Sequence, residues 1–278
     1  MTDRTRKPDE KIVSHYGGAE LFRKIVDTLE ANGVKIGEIS EQHLKSIDEF
    51  HIGGEGATIS LLDQLGLKDG VKVLDVGAGI GGPARLMTVR YGADVTGLDL
   101  TPDFVETAKQ LTGLLSLPTQ FKVGSALDIP FDDSSFDVAT LLHVGMNLPD
   151  KDRLFDEVWR VLKPKGRFAV YDVMRFGAAP AFPLPWASDP TASFLASPDV
   201  YLEAADKAGF ELEARRDRGE VAKEFFAALR EKIAASGPPV LGLPMLMGAN
   251  AGDMVANMTN AVGAGDIAPV EMIFKKRD

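Results

Sequence analysis

The 278-residue chain carries 41 acidic against 31 basic residues, a formal charge of −10, and is 45% apolar. This size and apolar share suit one large α/β domain with a sizeable core, and the acidic balance argues against a nucleic-acid substrate held in a basic groove. The chain has no cysteine, which excludes a disulfide framework, a thiolate metal site and a cysteine nucleophile, and is compatible with a cytoplasmic protein.

Residues 1–10 read as a loose polar tail without the apolar run of a secretory signal. No uninterrupted apolar run approaches the ~20 residues that span a bilayer, so no membrane segment is expected. Residues 11–32 read as a helix with Ile12, Leu21, Ile25, Val26 and Leu29 at apolar positions, stopped at Gly33. A second short helix begins at Ser40. Asp48-Glu49-Phe50-His51-Ile52-Gly53-Gly54 is a polar, glycine-punctuated turn, and residues 57–67 form a helix with Ile59, Leu62 and Leu65 on one face.

The chain then alternates strand and helix, the pattern of a parallel sheet covered on both faces. Strands are expected at 72–76, 94–98, 119–123, 136–142 and 167–173, with helices at 83–91, 102–115 and 151–162 and a turn at Lys163-Pro164-Lys165-Gly166. Thr101 and Pro102 suit the N-cap and first position of one helix. Residues 176–198, rich in proline, alanine and aromatics, read as an ordered loop or short cap. A helix at 199–208, a strand at 210–217, a helix at 221–235, a glycine-interrupted helical insertion at 238–265 and a last strand at 267–275 complete the chain.

The segment around which this pattern turns is Val73-Leu74-Asp75-Val76-Gly77-Ala78-Gly79-Ile80-Gly81-Gly82-Pro83. It reads as a buried strand, a glycine turn that lets backbone approach a ligand, and a helix start suited to a small polar or anionic group. Asp99, about 20 residues further at a strand end, stands where a carboxylate takes ribose hydroxyls in dinucleotide folds. The spacing Gly77-x-Gly79-x-x-Gly82 leaves two cofactors in competition, a nicotinamide or flavin dinucleotide and S-adenosylmethionine. Asp75, two residues before the first glycine, would repel a pyrophosphate but suits a cofactor carrying a sulfonium and an ammonium. No Tyr-x-x-x-Lys pair exists, which disfavours one large dehydrogenase class.

Gly124-Ser125-Ala126-Leu127-Asp128-Ile129-Pro130-Phe131, Phe136-Asp137 and Leu162-Lys163-Pro164-Lys165-Gly166, together with the glycine turn and Asp99-Leu100-Thr101, resemble the motifs of the class I S-adenosylmethionine-dependent methyltransferases. The flanks Phe50-His51-Ile52-Gly53-Gly54 and Pro185-Trp186-Ala187 resemble the small-molecule branch that holds the sarcosine and dimethylglycine N-methyltransferases. The resemblance implies a Rossmann-like α/β fold: a seven-stranded, mostly parallel sheet with helices on both faces, its last strand antiparallel, plus helical cap elements. It implies an N-terminal helical lid over residues 1–55, a cofactor-binding core over 56–175, and cap segments with the C-terminal strands over 176–278.

It also implies site roles. Gly77, Ala78 and Gly79 would pass along the methionine part of the cofactor, with Asp75 holding the turn or the ammonium. Asp99 would take the ribose hydroxyls and Leu100 the adenine face, and Ala126 and Leu127 would meet the adenine edge through backbone groups. Ser125 stands where the family often has aspartate. His143 would face the methionine end and the acceptor.

Methyl transfer is an in-line displacement in which the protein supplies alignment, exclusion of water and sometimes a base. His143, His51 and Tyr16 are the candidate bases; no metal is called for. Arg85, Arg175 and Arg215 are candidate partners for an acceptor carboxylate. Trp186 and Phe182 read as cap core or as a cage for a cationic amine, and Met245, Met247, Met254 and Met258 as gap-filling core or an apolar pocket lining. The leading expectation is methylation of a small molecule, foremost at nitrogen, with no nucleic-acid or membrane partner and compatible with a homodimer. A C- or O-methyltransferase of a larger apolar molecule, an NAD(P)-dependent oxidoreductase and a non-catalytic binding protein are the alternatives.

Overall fold

The computed structural model describes residues 20–277 except 50 and 238. Tyr16 and the first half of the expected N-terminal helix lie outside the described residues. The core is a seven-stranded sheet built from β1 (Lys72–Val76), β2 (Asp94–Asp99), β3 (Gln120–Val123), β4 (Phe136–Leu142), β5 (Leu162–Arg175), β6 (Phe210–Asp217) and β7 (Ile267–Lys276). Their order is β3-β2-β1-β4-β5-β7-β6. β1 pairs in parallel with β2 and β4, while β7 runs antiparallel to both β5 and β6. This is the expected Rossmann-like arrangement, with the antiparallel strand inserted between its neighbours.

The apolar strand sequences follow from burial on both faces. Leu74 and Val76 point into one cluster with Leu154, Phe155 and Val158 of α6 (Lys151–Val161). Val73 points the other way, toward Leu61 and Leu62 of α3 (Gly54–Leu62) and Ala84 and Met87 of α4 (Gly82–Tyr91). Successive side chains on a strand alternate between faces, so one five-residue strand serves both cores. On the α6 side Phe155 meets Phe168, Phe210 and Phe274 nearly edge-on at 5.2–5.9 Å, a favoured aromatic arrangement.

α1 (Leu21–Ala31) and α2 (Glu41–Asp48) precede the sheet and share a cluster with Leu111 of α5 (Pro102–Leu114). α2 starts at Ser40, whose N–H donates to His43 Nδ1 at 3.0 Å. α7 (Pro198–Ala208) and α8 (Gly219–Ser236) flank β6, and α9 (Leu243–Met247) and α10 (Ala251–Ala264) lead to β7.

Three expected boundaries differ. α3 begins at Gly54, three residues before the expected helix, and ends at Leu62 rather than 67, because Ala57 and Leu61 bury against β1 and draw the glycines into its first turn. The turn expected at Lys163–Gly166 lies inside β5, where it forms a bulge: Phe136 pairs with Leu162 but Val138 pairs with Arg167, and Lys165 has φ +64°.

Beyond β5, a separate apolar cluster gathers Ile52, Met146, Leu184, Trp186, Phe226 and Met258. Trp186 is buried and its Nε1 donates to Ser193 Oγ at 3.0 Å, so it serves as cap core. Asp266 joins the two ends of the cap region. Its carbonyl accepts from the N–H groups of Phe176 and Gly177, and its carboxylate from that of Ala178 at 2.8 Å. Among the described residues no helix is long and apolar enough to cross a membrane.

Beneath the site, the fully buried Asp172 accepts from Tyr201 Oη at 2.5 Å and from the N–H of Val173 at 3.0 Å. Removing one partner of a buried carboxyl costs its desolvation. Tyr201→Phe is therefore expected to lower unfolding stability by about 1–3 kcal/mol in urea denaturation.

Candidate active site

In this strand order the sequence direction reverses between β1 and β4, and ligands of open α/β sheets bind in the crevice at such a point, beyond the carboxyl ends of the strands. Three loops converge there. The loop after β1 is pinned to the end of β2: the N–H groups of Gly77 and Ala78 both donate to Leu98 O, at 2.7 and 3.0 Å. Gly79 N–H donates to Asp99 Oδ2 at 2.8 Å, and Thr101 N–H to Asp99 Oδ1 at 2.8 Å. One carboxylate thus orders the turns after β1 and β2. Burial raises the Asp99 pKa against these hydrogen bonds, which favour its charged form.

Gly77 has φ +77°, and a Cβ there would collide with Val144 of the loop after β4. Gly82 is packed on the Asp48 carbonyl in the same way. By contrast, a Cβ on Gly79 (φ +54°) would meet no protein atom within 4 Å, which leaves that stretch of backbone open to a ligand.

Asp75 is buried under the turn. Its Oδ1 accepts from Thr140 Oγ1 at 2.8 Å, while Oδ2 has no protein partner. Burial pushes the Asp75 carboxyl up to about 7; Thr140 opposes the rise, and the carboxylates of Glu49 and Asp99 add to it. Leu100 is half-buried beside Asp99. In the segment after β3, Ser125 Oγ accepts from Leu127 N–H at 3.2 Å, Leu127 O accepts from Arg153 Nε at 2.9 Å, and Ala126 is buried in the α6-side core. The Ser125 hydroxyl therefore shapes the turn, and Asp128 is exposed.

His143 opens the loop after β4 with φ +56°, a conformation uncommon outside glycine and found at functional sites. Its N–H is held by Tyr171 O at 2.7 Å. Its Nε2 is buried without a protein partner. Burial drives its pKa well below the usual histidine value, with a further push from His51, so the imidazole is neutral. His51 and Tyr171 complete a three-ring group, with centroids 5.2–5.7 Å apart. Tyr171 Oη donates to Ile52 O at 3.1 Å.

The structure thus brings together Asp75, Gly77, Ala78, Gly79, Asp99, His51 and His143, and adds Glu49, Thr58 and Tyr171, which sequence reasoning passed over. Arg85, a candidate partner for an acceptor carboxylate, is committed elsewhere: it is buried, with NH2 2.5 Å from Asp48 Oδ1 and NH1 donating to Ile80 O at 2.8 Å. Arg175 and Arg215 are exposed, the latter paired with Asp217.

Residues 74–170 match the family model of a methyltransferase domain. Methyltransferase GfsG of Streptomyces halstedii is 33% identical over 202 residues, 70% of this chain and 69% of that protein. The chain belongs to the class I S-adenosylmethionine-dependent methyltransferases. This removes the oxidoreductase and non-catalytic alternatives. A sterol 24-C-methyltransferase of Gibberella zeae is 40% identical over 114 residues, 40% of this chain but only 30% of that enzyme. The fold also matches phosphoethanolamine N-methyltransferase 2 of Haemonchus contortus, solved with S-adenosylmethionine, at a TM-score of 0.70 and 21% identity over 91% of this chain and 60% of that one. The sterol enzyme is a carbon methyltransferase, and the Haemonchus enzyme, similar in fold, is a nitrogen methyltransferase.

The methyltransferase's own atoms fit its cofactor, S-adenosylmethionine. The orphaned Asp75 Oδ2 is an acceptor suited to an ammonium, and the open backbone at Gly79 leaves room for the methionine part. In the ligand-free protein Asp75 has a linked effect on stability. Unfolded, the carboxyl loses its proton near 3.8; folded, only near 7. The folded state therefore holds the extra proton between these values, and stability falls as pH rises through them. Between pH 5 and 8 the wild type is expected to lose roughly 2–3 kcal/mol relative to Asp75→Asn, measured by urea denaturation at each pH.

Proposed function

We propose that this methyltransferase methylates a largely apolar small molecule at an atom that gives up a proton, foremost a hydroxyl oxygen, with His143 as the base. The observation that carries this reading is the buried, unpartnered Nε2 of a neutral His143. An uncharged amine attacks through its lone pair and needs no base at that step, whereas a hydroxyl becomes a competent nucleophile as its proton leaves. The apolar cluster that follows directly on His51 and His143 through Ile52 and Met146 supports an apolar acceptor.

When bound, S-adenosylmethionine supplies a methyl group on a positively charged sulfur that departs as a neutral thioether. Asp75 holds the ammonium end, Gly77, Ala78 and Gly79 give backbone access to the methionine part, and Asp99 receives the ribose hydroxyls. Leu100 covers the adenine, and Ala126, Leu127 and Ser125 form its edge. His143 Nε2 accepts the proton as the acceptor oxygen forms its bond to carbon. Tyr16, the third candidate base, lies outside the described residues. The nitrogen acceptor expected from sequence stands as a second reading, supported by the N-methyltransferase among the structural matches; there an uncharged amine attacks through its lone pair and His143 takes the proton the product sheds.

Calorimetry is expected to give micromolar binding of S-adenosylhomocysteine. Transfer of labelled methyl to a panel of apolar phenols and alcohols, against matched amines, decides the acceptor atom; turnover on amines alone would exclude the hydroxyl reading. His143→Asn, which tolerates the left-handed backbone, is expected to lower kcat about 100-fold or more while binding S-adenosylhomocysteine as the wild type does. Because burial lowers the His143 pKa, the acid limb of the kcat profile is expected below pH 6.5. A limb above that value would argue against His143 as the base.

A further inference from the structure

Glu49 lies between α2 and α3, outside every sequence motif, yet its carboxylate is almost entirely buried. Its Oε2 accepts from Thr58 Oγ1 at 2.6 Å and lies 3.0 Å from His51 Nε2. Thr58 Oγ1 in turn lies 2.8 Å from the same ring nitrogen. A threonine hydroxyl has one hydrogen, and at 2.6 Å from a carboxylate that hydrogen goes to Glu49. Thr58 can then only accept from His51, and Glu49 can only accept. Both groups facing Nε2 are acceptors, so Nε2 carries the hydrogen. The remaining nitrogen, Nδ1, sits 3.2 Å from Ile52 O, which also receives the Tyr171 hydroxyl. Both ring nitrogens of His51 thus face protein oxygens that leave no room for a ligand, Nε2 donating to Glu49 and Thr58 and Nδ1 closed off by the Ile52 carbonyl, while His143 Nε2, one ring away at 5.3 Å between centroids, has no protein partner.

We propose that Glu49, with Thr58, is a positioning residue of the methyl-transfer site: it fixes His51 as the Nε2–H tautomer, which turns the remaining His51 lone pair onto the Ile52 carbonyl and leaves His143 Nε2 as the lone pair no protein atom covers. The assignment rests on His143 serving as base in the proposed reaction, and it divides the two candidate histidines by role. His51 packs against the neighbouring ring and acts through His143 rather than on the acceptor. The side chains packed around this pair are Glu49, Thr58, Tyr171 and, under the cofactor turn, Asp75.

The full chain contains only four histidines, so nitrogen-15 spectra of histidine-labelled protein at pH 7.5, assigned by His→Asn variants, report each ring nitrogen. In the wild type His51 Nε2 is expected in the protonated region, coupled to its own hydrogen. Glu49→Ala frees the Thr58 hydroxyl to donate to His51 Nε2, and the ring is expected to switch to Nδ1–H, toward Ile52 O, moving the Nε2 signal to the unprotonated region. Thr58→Val keeps the Glu49 acceptor, and Nε2 is expected to stay protonated. An unprotonated Nε2 in the wild type, a switch in Thr58→Val, or no switch in a folded Glu49→Ala would each overturn the proposal. Should Glu49→Ala fail to fold, the wild-type and Thr58→Val spectra still decide it. Calorimetry with S-adenosylhomocysteine on the wild type is read separately, so a failure of the cofactor site is distinguished from a failure of this assignment.

Discussion

The carboxylate of Asp99 is the junction on which the site depends. Its two oxygens accept from Gly79 and Thr101, so the turn after β1 and the start of α5 share one anchor. Leu98 O, the preceding carbonyl, receives two more N–H groups from the same glycine turn. A loop of this kind would otherwise be mobile, since glycine loses more conformational freedom on ordering than any other residue. Charge-assisted bonds to backbone are stronger than neutral ones, which suits them to holding such a loop in one shape before a ligand arrives. The Gly77 contact with Val144 then carries the order across to β4 and hence to His143.

A second theme is the division of charge. Asp75, Asp99 and Glu49 are acidic groups gathered around one crevice, and burial raises the pKa of the first two. The same burial lowers that of His143. Low dielectric disfavours the charged form of each, so the carboxyls are held toward protonation and the imidazole toward neutrality. A cationic cofactor reverses the first tendency by supplying the missing counter-charge and leaves the second in place. Methyl transfer removes one positive charge from the sulfur and releases one proton, and the crevice has acceptors suited to both changes.

Much of this was legible in the sequence. The alternation of apolar strands and capped helices gives the parallel sheet because its strands are buried on both faces. The glycine turn and Asp99 are legible because their spacing is local. What was missed is non-local. Glu49 looks like an ordinary turn carboxylate until α3 brings Thr58 beside it. Arg85 looks like a free helix cation, and nothing near it in sequence announces Asp48, 37 residues earlier. The Lys163–Gly166 segment has turn chemistry, yet it is drawn into β5 as a bulge by pairing with β4. Tyr171 sits in an apolar strand, and only the path of the Ile52 backbone gives its hydroxyl a partner.

Asp266 has a consequence for how this enzyme can change. By bonding to residues 176, 177 and 178 it closes a staple between the point where the chain leaves β5 and the point where it enters β7. The segment at 178–197 therefore departs from, and the helix ending at Ala264 returns to, one fixed gate, so either can lengthen or shorten with one end held beside the strands that carry the cofactor crevice.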